Sequence, residues 1–467
     1  MKNVLNMNSQ SEIGFYQELL GRKYPQDRIQ VGYMISSKYR ADFVIMALGI
    51  SEIPIAVFEV KGTPHFEKSK LLLYARDVKK TLGCPFYLIK ADGHNYSCSL
   101  FDKGSFIPTE LPTYMQLQEK MKEFPGRIEK MSLTNFTVFK KAEFTFGSKL
   151  NIIIGVNGSG KTMLLKLLYA VSSAVVKQQK SLPYTFVGQL SMLNDIFNVQ
   201  NCKELNTRTP TTKETIPFEI SFKLKNTQEF SFSIDDEGTI GGWGSPLAKS
   251  SVVSSVFLPA RELLSIFPRF IYTAQANPEN NPYDQTVKDT IIKLGLPSLK
   301  SQELMITPIC QIIEKAIGAT FYLDVKNDKF MMKKKNETAP YEIDISAEGW
   351  RKLGEILQLL KNGAITSGSI LFWDEPEANQ NPALIRVLAQ VIIALCDLGV
   401  QIFLTTHSLF LLRELEYLSY KEKSKIRYFS LHDGEVEQSD SSADLSNIAP
   451  FDEEIKQEDR ILSYKGL

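Results

Sequence analysis

The pattern of apolar and polar positions changes style near residue 125. Before that point, Ser9 or Ser11 can cap an opening helix that runs through about Leu20. Ile29 to Ile35, Asp42 to Leu48 and Ile55 to Val60 are β-rich runs separated by polar or Gly/Pro breaks. Glu67 to Thr81 then places Leu71, Leu72, Tyr74, Ala75 and Val78 at helical spacing. Gly83 stops that helix, and Pro85 to Lys90 begins another strand. The pattern predicts helix, three strands, helix, two strands. The segment QLQEKMKEFPGRIEK, with Pro125 and Gly126, marks a connection to the next unit.

From Met131 apolar and polar residues alternate as in edge strands, and at Leu150–Ile154 the run becomes continuously apolar. A continuous run of that kind suggests a buried parallel strand. The middle of the chain, about 180–345, mixes strands with a helical insert around 285–318. Phe321–Lys335 reads as a hairpin turning at Asn327-Asp328. After it the pattern predicts a helix over 350–361, a buried strand over 369–373, a helix over 382–398 and a buried strand over 401–405. The expected organisation is a first domain over 1–125 and a second over 126–467. No internal repeat or low-complexity tract interrupts them.

Composition narrows the class without fixing it. Of 467 residues, 43% are hydrophobic and 23% charged, the balance of a soluble globular protein of two or three domains. Lys+Arg 54 against Asp+Glu 53 leaves a net charge of +1, so any nucleic-acid contact must come from local patches. The five cysteines are scattered, which argues against a structural zinc site or a disulfide framework and fits a reducing cytosol. The first residues lack an apolar stretch long enough for a signal peptide, and no uncharged run reaches membrane-spanning length. The expectation is a cytoplasmic protein with no membrane partner.

The strongest chemical signal is Gly155-Val-Asn157-Gly158-Ser159-Gly160-Lys161-Thr162, which satisfies GxxxxGK[ST] between an apolar strand and an apolar helix. The glycines let main-chain N–H groups converge on phosphate oxygens, and the helix N-terminus adds the positive end of its dipole. Lys161 supplies a point charge to the β- and γ-phosphates of ATP, and the Thr162 hydroxyl can ligate Mg²⁺. Ser369-Ile-Leu-Phe-Trp-Asp374-Glu375-Pro376 is the matching acidic strand end: Asp374 to hold Mg²⁺, Glu375 to polarise the attacking water. His407, in FLTTHS after the next buried strand, is placed to reach the γ-phosphate.

These motifs, with LFWDEPEANQNP, resemble the ABC-type ATPase domain of SMC, RecF and OLD-like proteins over about 130–435. The resemblance implies an ABC-type P-loop α/β fold with a helical and β insert over about 180–345. It also implies a signature segment that closes on a second subunit's nucleotide, and thus a homodimer or higher oligomer through the ATPase heads. Ile345-Ser346-Ala347-Glu348-Gly349-Trp350-Arg351-Lys352 occupies the expected place, retaining Ser346 and Gly349 but departing at Ala347 and Glu348. Asn379–Asn381 resembles the D-loop. Gln189 is either a Q-loop residue or a solvated loop glutamine. Arg261 either contacts phosphate or pairs with Glu262.

In the first domain, Asp42 begins one strand and Glu59-Val60-Lys61 ends the next, so that Glu59 and Lys61 share a face. That constellation can hold Mg²⁺ between Asp42, Glu59 and the Val60 carbonyl, while Lys61 stabilises a hydroxide or the pentacovalent phosphate. With the flanking helices it resembles the PD-(D/E)xK nuclease core, in particular the N-terminal domain of type I restriction motor subunits, over about 10–105. The resemblance implies a restriction-endonuclease-like α/β fold. Tyr74 stands where that family's helix carries Tyr, but Lys70 stands at the Gln position. Glu12 or Glu18 can supply a further carboxylate. Lys68, Lys79 and Lys80 along one helix, and Lys333-Lys334-Lys335, are either phosphate contacts or solvated faces.

Together the halves suggest an ATP-gated, Mg²⁺-dependent nuclease acting on DNA, resembling bacterial defence effectors aimed at phage or plasmids. The alternative is a sensor or scaffold that holds a partner effector protein, its first domain binding nucleic acid without cutting. An ABC transporter subunit is disfavoured by the nuclease-like first domain.

Overall fold

The computed structural model describes residues 9–35, 39–46, 54–62, 68–82, 84–93, 95–120, 127–180, 192–207, 217–225, 229–234, 237, 239–243, 254–276, 282–299, 306–422 and 426–465. The chain divides into two compact units, Met1–Phe124 with Leu247–Val253 and Pro125–Pro246 with Ser254–Leu467.

In the first unit α1 (Gln10–Gly21) starts at Ser9, whose hydroxyl accepts the Glu12 N–H at 3.2 Å; of the two serines expected as caps, Ser9 is the one used. A six-stranded sheet follows in chain order: β1 (Ile29–Met34), β2 (Arg40–Met46), β3 (Pro54–Gly62), β4 (Phe86–Asp92), β5 (Asn95–Asp102) and β6 (Ser105–Thr109). Only β3 and β4 run parallel, because α2 (Lys68–Leu82) carries the chain back between them, as a parallel pair requires. Phe15 and Leu19 of α1 pack with Phe43 and Phe58 on one face of the sheet. Leu71, Ala75 and Val78 of α2 pack with Val44, Val57 and Phe86 on the other. Three strands, not two, follow α2: Ser105–Thr109 pairs with β5 around the Lys103-Gly104 turn, a short exposed edge whose Pro108 hides it from pattern reading. A short helix, α3 (Tyr114–Lys120), ends the described part of this unit.

The second unit opens with β7 (Ile128–Phe136), β8 (Phe139–Thr145) and β9 (Leu150–Gly155), then α4 (Lys161–Lys180) and the short α5 (Leu193–Phe197). Strands β10 (Phe218–Leu224), β11 (Glu229–Ile234) and β12 (Ile240–Trp243) complete an antiparallel sheet of order β12-β11-β10-β7-β8. The alternation from Met131 predicts edge strands: β8 lies at the edge of this sheet, whereas β7 lies inside it, its rhythm reflecting one covered face. After β13 (Ser255–Leu258) come α6 (Phe267–Ala276), α7 (Gln285–Leu294), α8 (Thr307–Ile317), β14 (Ala319–Asp324), β15 (Lys329–Lys334) and β16 (Tyr341–Glu342). The β14–β15 hairpin turns at Asp328, with φ +49°, where expected.

The remaining elements are α9 (Glu348–Lys361), β17 (Ile370–Trp373), α10 (Pro382–Leu398), β18 (Gln401–Thr406), α11 (Leu409–Glu422), β19 (Ile426–His432), β20 (Glu435–Ser439) and α12 (Ala449–Lys465). They build a sheet of order β13-β17-β18-β9-β19-β20, parallel except for β20. Every residue of β9, β13, β17 and β18 is buried, which is why these strands read as continuous apolar runs. The two sheets are stitched at their starts. Gln401 accepts the Ile128 N–H at 3.0 Å and donates to the carbonyls of Ile128 and Gly147, while Arg127 donates to Gly399 O at 3.1 Å. Among the described residues no helix is long and apolar enough to cross a membrane.

Candidate functional site

Strands β9, β17 and β18 are adjacent and parallel, so their C-terminal ends gather 155–162, 374–377 and 405–407 at one edge of the sheet. The loop after β9 turns through Gly158 (φ +83°) and Gly160 (φ +94°). A Cβ on Gly160 would lie 2.7 Å from Val138 Cγ2, and one on Gly155 2.6 Å from Leu431 O, so side chains are excluded where the loop folds closest. Lys161 is 6% exposed and donates to the Gly155 and Val156 carbonyls at 2.9 and 2.8 Å. Burial draws its pKa down, against the pull of Glu375, Asp374 and Glu377. The Ser159 hydroxyl is buried without a partner beside Asn157 and Gly158, which line a cavity of about 760 Å³.

The Thr162 hydroxyl lies 3.0 and 3.2 Å from the two carboxylate oxygens of Asp374. Thr405 completes that corner by donating to Asp374 Oδ1 at 2.6 Å and accepting the Glu375 N–H at 3.0 Å. Glu375 sits at φ +43°, a left-handed conformation that non-glycine residues adopt at a cost and that clusters at functional sites. His407 Nε2 lies 3.1 Å from Glu375 Oε1, with both side chains about one-third exposed. Glu377, two residues on, accepts from the Thr406 hydroxyl at 2.6 Å and the His407 N–H at 3.0 Å.

Ser346 and Gly349 are held within their own neighbourhood. The Ser346 hydroxyl donates to Ile343 O at 2.7 Å, and a Cβ on Gly349 would meet Leu384 Cδ1 at 2.9 Å. Asn379, at φ +62°, donates to Glu348 at 2.9 Å, and Asn381 caps α10. Lys352, 2% exposed, donates to Ala378 O at 2.8 Å. The start of α9 is thus packed against the turn that follows β17. Glu262 pairs with Arg351 at 2.9 Å and not with Arg261, which is exposed. Gln189 lies outside the described residues.

In the first unit Asp42 and Glu59 face each other across β2 and β3, the register that also pairs Phe43 with Phe58. The Val60 N–H donates to Asp42 Oδ2 at 2.8 Å. Lys61 lies 2.6 Å from Glu59 Oε1 and 3.6 Å from Asp42 Oδ2, so its ammonium bridges the two carboxylates. Tyr74 donates to Arg40 O at 3.2 Å and lies 3.4 Å from Glu59 Oε2. Burial first, then the Asp42 charge, push the Glu59 carboxyl up to about 7 against the opposing Lys61. Burial also raises Asp42, with Glu12 adding to it. Burial alone would lower Lys61, but Glu59 and Asp42 outweigh it and hold the ammonium charged. Of the two helical glutamates, Glu12 is buried and felt at Asp42, whereas Glu18 pairs with Arg22 at 2.6 Å on the surface. Among the described residues no three His, Cys, Asp or Glu side chains are grouped so as to hold a metal ion.

Sequence reading missed Thr405, Lys352 and Glu377. Two adjacent threonines ending an apolar strand were a usable signal for the first. Lys352 looks like any polar residue of an amphipathic helix, and only the fold shows it buried.

The second unit therefore places a phosphate cradle opposite an acidic strand end, the layout of a nucleotide hydrolase. The chain belongs to the AAA ATPase domain family, whose model matches residues 127–364, just over half of it; it is an ATP-binding ATPase. A second model, "AAA domain, putative AbiEii toxin, Type IV TA system", matches residues 338–413. The chain is 43% identical over 47 residues to the DNA replication and repair protein RecF of Oceanobacillus iheyensis, and 40% to that of Bacillus velezensis. Those matches cover 10% of this chain and 13% of each relative. Among solved structures it is similar to an SMC head bound to the C-winged helix domain of ScpA (14% identity, 67% of this chain, 97% of that one, TM-score 0.44). It is also similar to the SMC head domain from Thermotoga maritima (12% identity, 67% of this chain, 98% of that one, TM-score 0.36).

Proposed function

We propose that this chain is an ABC-type ATPase of the SMC and RecF kind whose heads close on ATP as a homodimer and gate Mg²⁺-dependent DNA cleavage by the first unit. The observation that carries the ATPase half is the convergence of Lys161, Thr162, Asp374, Glu375 and His407 at one sheet edge. The residues fit a magnesium nucleotide: Thr162 and Asp374 are oxygen donors already within 3.0 Å of each other, and the Ser159 hydroxyl awaits a partner. Thr162 and Asp374 would hold Mg²⁺, which when bound offsets charge on the β- and γ-phosphates. Residues 155–160 cradle the phosphates through their N–H groups, and Lys161 turns from the Gly155 and Val156 carbonyls toward them. Glu375 accepts the proton of the attacking water, and His407 orients Glu375 and meets the γ-phosphate. Ser346 and Gly349 of one head complete the partner head's site.

For the first unit, a buried and a half-buried carboxylate, both with raised proton affinity, fit a divalent cation, with Asp42, Glu59 and the Val60 carbonyl as ligands and Lys61 beside the reacting phosphate. Such fusions suit bacterial defence against phage or plasmids. A second reading draws on Lys61 itself, whose ammonium already bridges the carboxylates. Under it the first unit binds nucleic acid or a partner effector without cutting. Cleavage of DNA by the purified protein with Mg²⁺ or Mn²⁺, with and without ATP, separates the two. Activity lost in Asp42→Ala supports the nuclease; no cleavage under any condition supports the binding module.

A further inference from the structure

The turn after β17 carries an acidic side chain that the ATPase reading leaves without a task. Glu377 Oε1 accepts two hydrogen bonds, from the Thr406 hydroxyl at 2.6 Å and the His407 N–H at 3.0 Å. Its other oxygen is buried with no partner. Burial raises its pKa, with the nearby Glu375 charge adding to the effect. Holding a carboxylate in that setting is costly, and its two accepted bonds are what offset the cost. The turn is itself pinned on the far side: Lys352 of α9 donates to Ala378 O at 2.8 Å.

We propose that Glu377 is a positioning residue for ATP hydrolysis, holding the end of β18 so that the His407 imidazole meets Glu375. This rests on the roles given above to His407 and Glu375. The logic is geometric. His407 follows the last residue of β18, and beyond the strand the ladder no longer fixes its backbone. The two bonds donated by Thr406 and His407 replace the missing ladder, and their acceptor, Glu377 Oε1, belongs to the same turn that carries Glu375. Imidazole and carboxylate are thereby referenced to one short segment, which explains how the 3.1 Å contact is kept between the ends of separate strands. Lys352 extends the frame to α9, so the turn cannot tilt without moving the helix that starts at Glu348.

The test is a double-mutant cycle on ATP turnover in the full-length chain. Glu377→Ala should bind a fluorescent ATP analogue like wild type, because the cradle over 155–162 is untouched, while kcat falls about 10²-fold from misplacement alone. Glu377→Gln keeps an oxygen acceptor for both donors and should restore most of the lost turnover. If Glu377 acts through His407, the Glu377→Ala/His407→Ala double variant should be no slower than His407→Ala. Fully additive losses overturn the proposal, and so does a Glu377→Gln variant as slow as Glu377→Ala, since that would assign the role to charge. A defective His407→Ala beside a fully active Glu377→Ala overturns this proposal alone. A His407→Ala variant with wild-type turnover overturns the role given to His407 and this proposal with it.

Discussion

The Thr405 hydroxyl joins Asp374 to the backbone of Glu375, donating to the carboxylate of one at 2.6 Å and accepting the N–H of the other at 3.0 Å. One side chain on β18 thus sets both acidic residues that follow β17. Thr405→Val keeps the shape, removes both bonds and leaves the Glu375 N–H without its acceptor. It should slow ATP turnover about tenfold or more and cost about 1–3 kcal/mol of stability. Steady-state ATPase and denaturant unfolding check it; turnover equal to wild type would show that the threonine plays no part.

Lys161→Ala should abolish ATP binding. The ammonium is the cation of the 155–162 cradle, and alanine cannot bring charge to the phosphates. Calorimetric titration with ATP measures it, and wild-type affinity would remove the loop from nucleotide binding.

Glu375→Gln should retain ATP but lose hydrolysis, by about 10²–10⁴-fold for a general base. The amide keeps size and hydrogen bonding yet cannot take the water's proton. On a sizing column the variant with ATP should run as the larger, closed species. Unchanged turnover would take the base role from Glu375.

Ser346→Arg should bind ATP normally and fail to hydrolyse it, because the bulky cation blocks closure between heads. Mixed with Lys161→Ala, each two-fold pair carries one site with both defects and one with neither, so turnover should partly return. If heterodimers form and none recovers activity, the composite site is wrong.

Much of this was legible before the fold. The continuously apolar β9, β17 and β18 announced a buried parallel sheet, and the glycines and acidic pair that follow them gather at one of its edges. The pairing of Asp42, Glu59 and Lys61 also followed from strand alternation. The third strand after α2 stayed hidden because SFIPT is short, exposed and carries a proline. Lys352, Glu355 and Glu377 stayed hidden for another reason. A polar residue's task depends on long-range neighbours, and nothing local distinguishes a buried lysine from a solvated one.

Glu355 makes that neighbourhood measurable through pH. It is fully buried on α9 and accepts the Leu263 N–H. Burial, with Glu262 beside it, pushes the carboxyl from 4.5 up to about 8 despite that bond and Lys352. The folded chain therefore holds a proton that the unfolded chain releases, and stability contributed by this group is lost as pH rises from about 4.5 through about 8. Glu355→Gln keeps the acceptor and stays neutral, so its unfolding midpoint should fall less than wild type between pH 5 and 9. Parallel curves for the two proteins would place the proton elsewhere.

The stitching at Arg127 and Gln401 sets where this protein can be cut. A fragment begun at Met131 would strip Gln401 of its partners on Ile128 and leave the Gly399 carbonyl with the Gly368 N–H in place of both donors, loosening the root of the strand that ends beside His407. Trimming a few residues at a remote seam would thus damage the sheet that carries the ATPase site, and a workable excision of the second unit must keep Arg127 as its first structural residue.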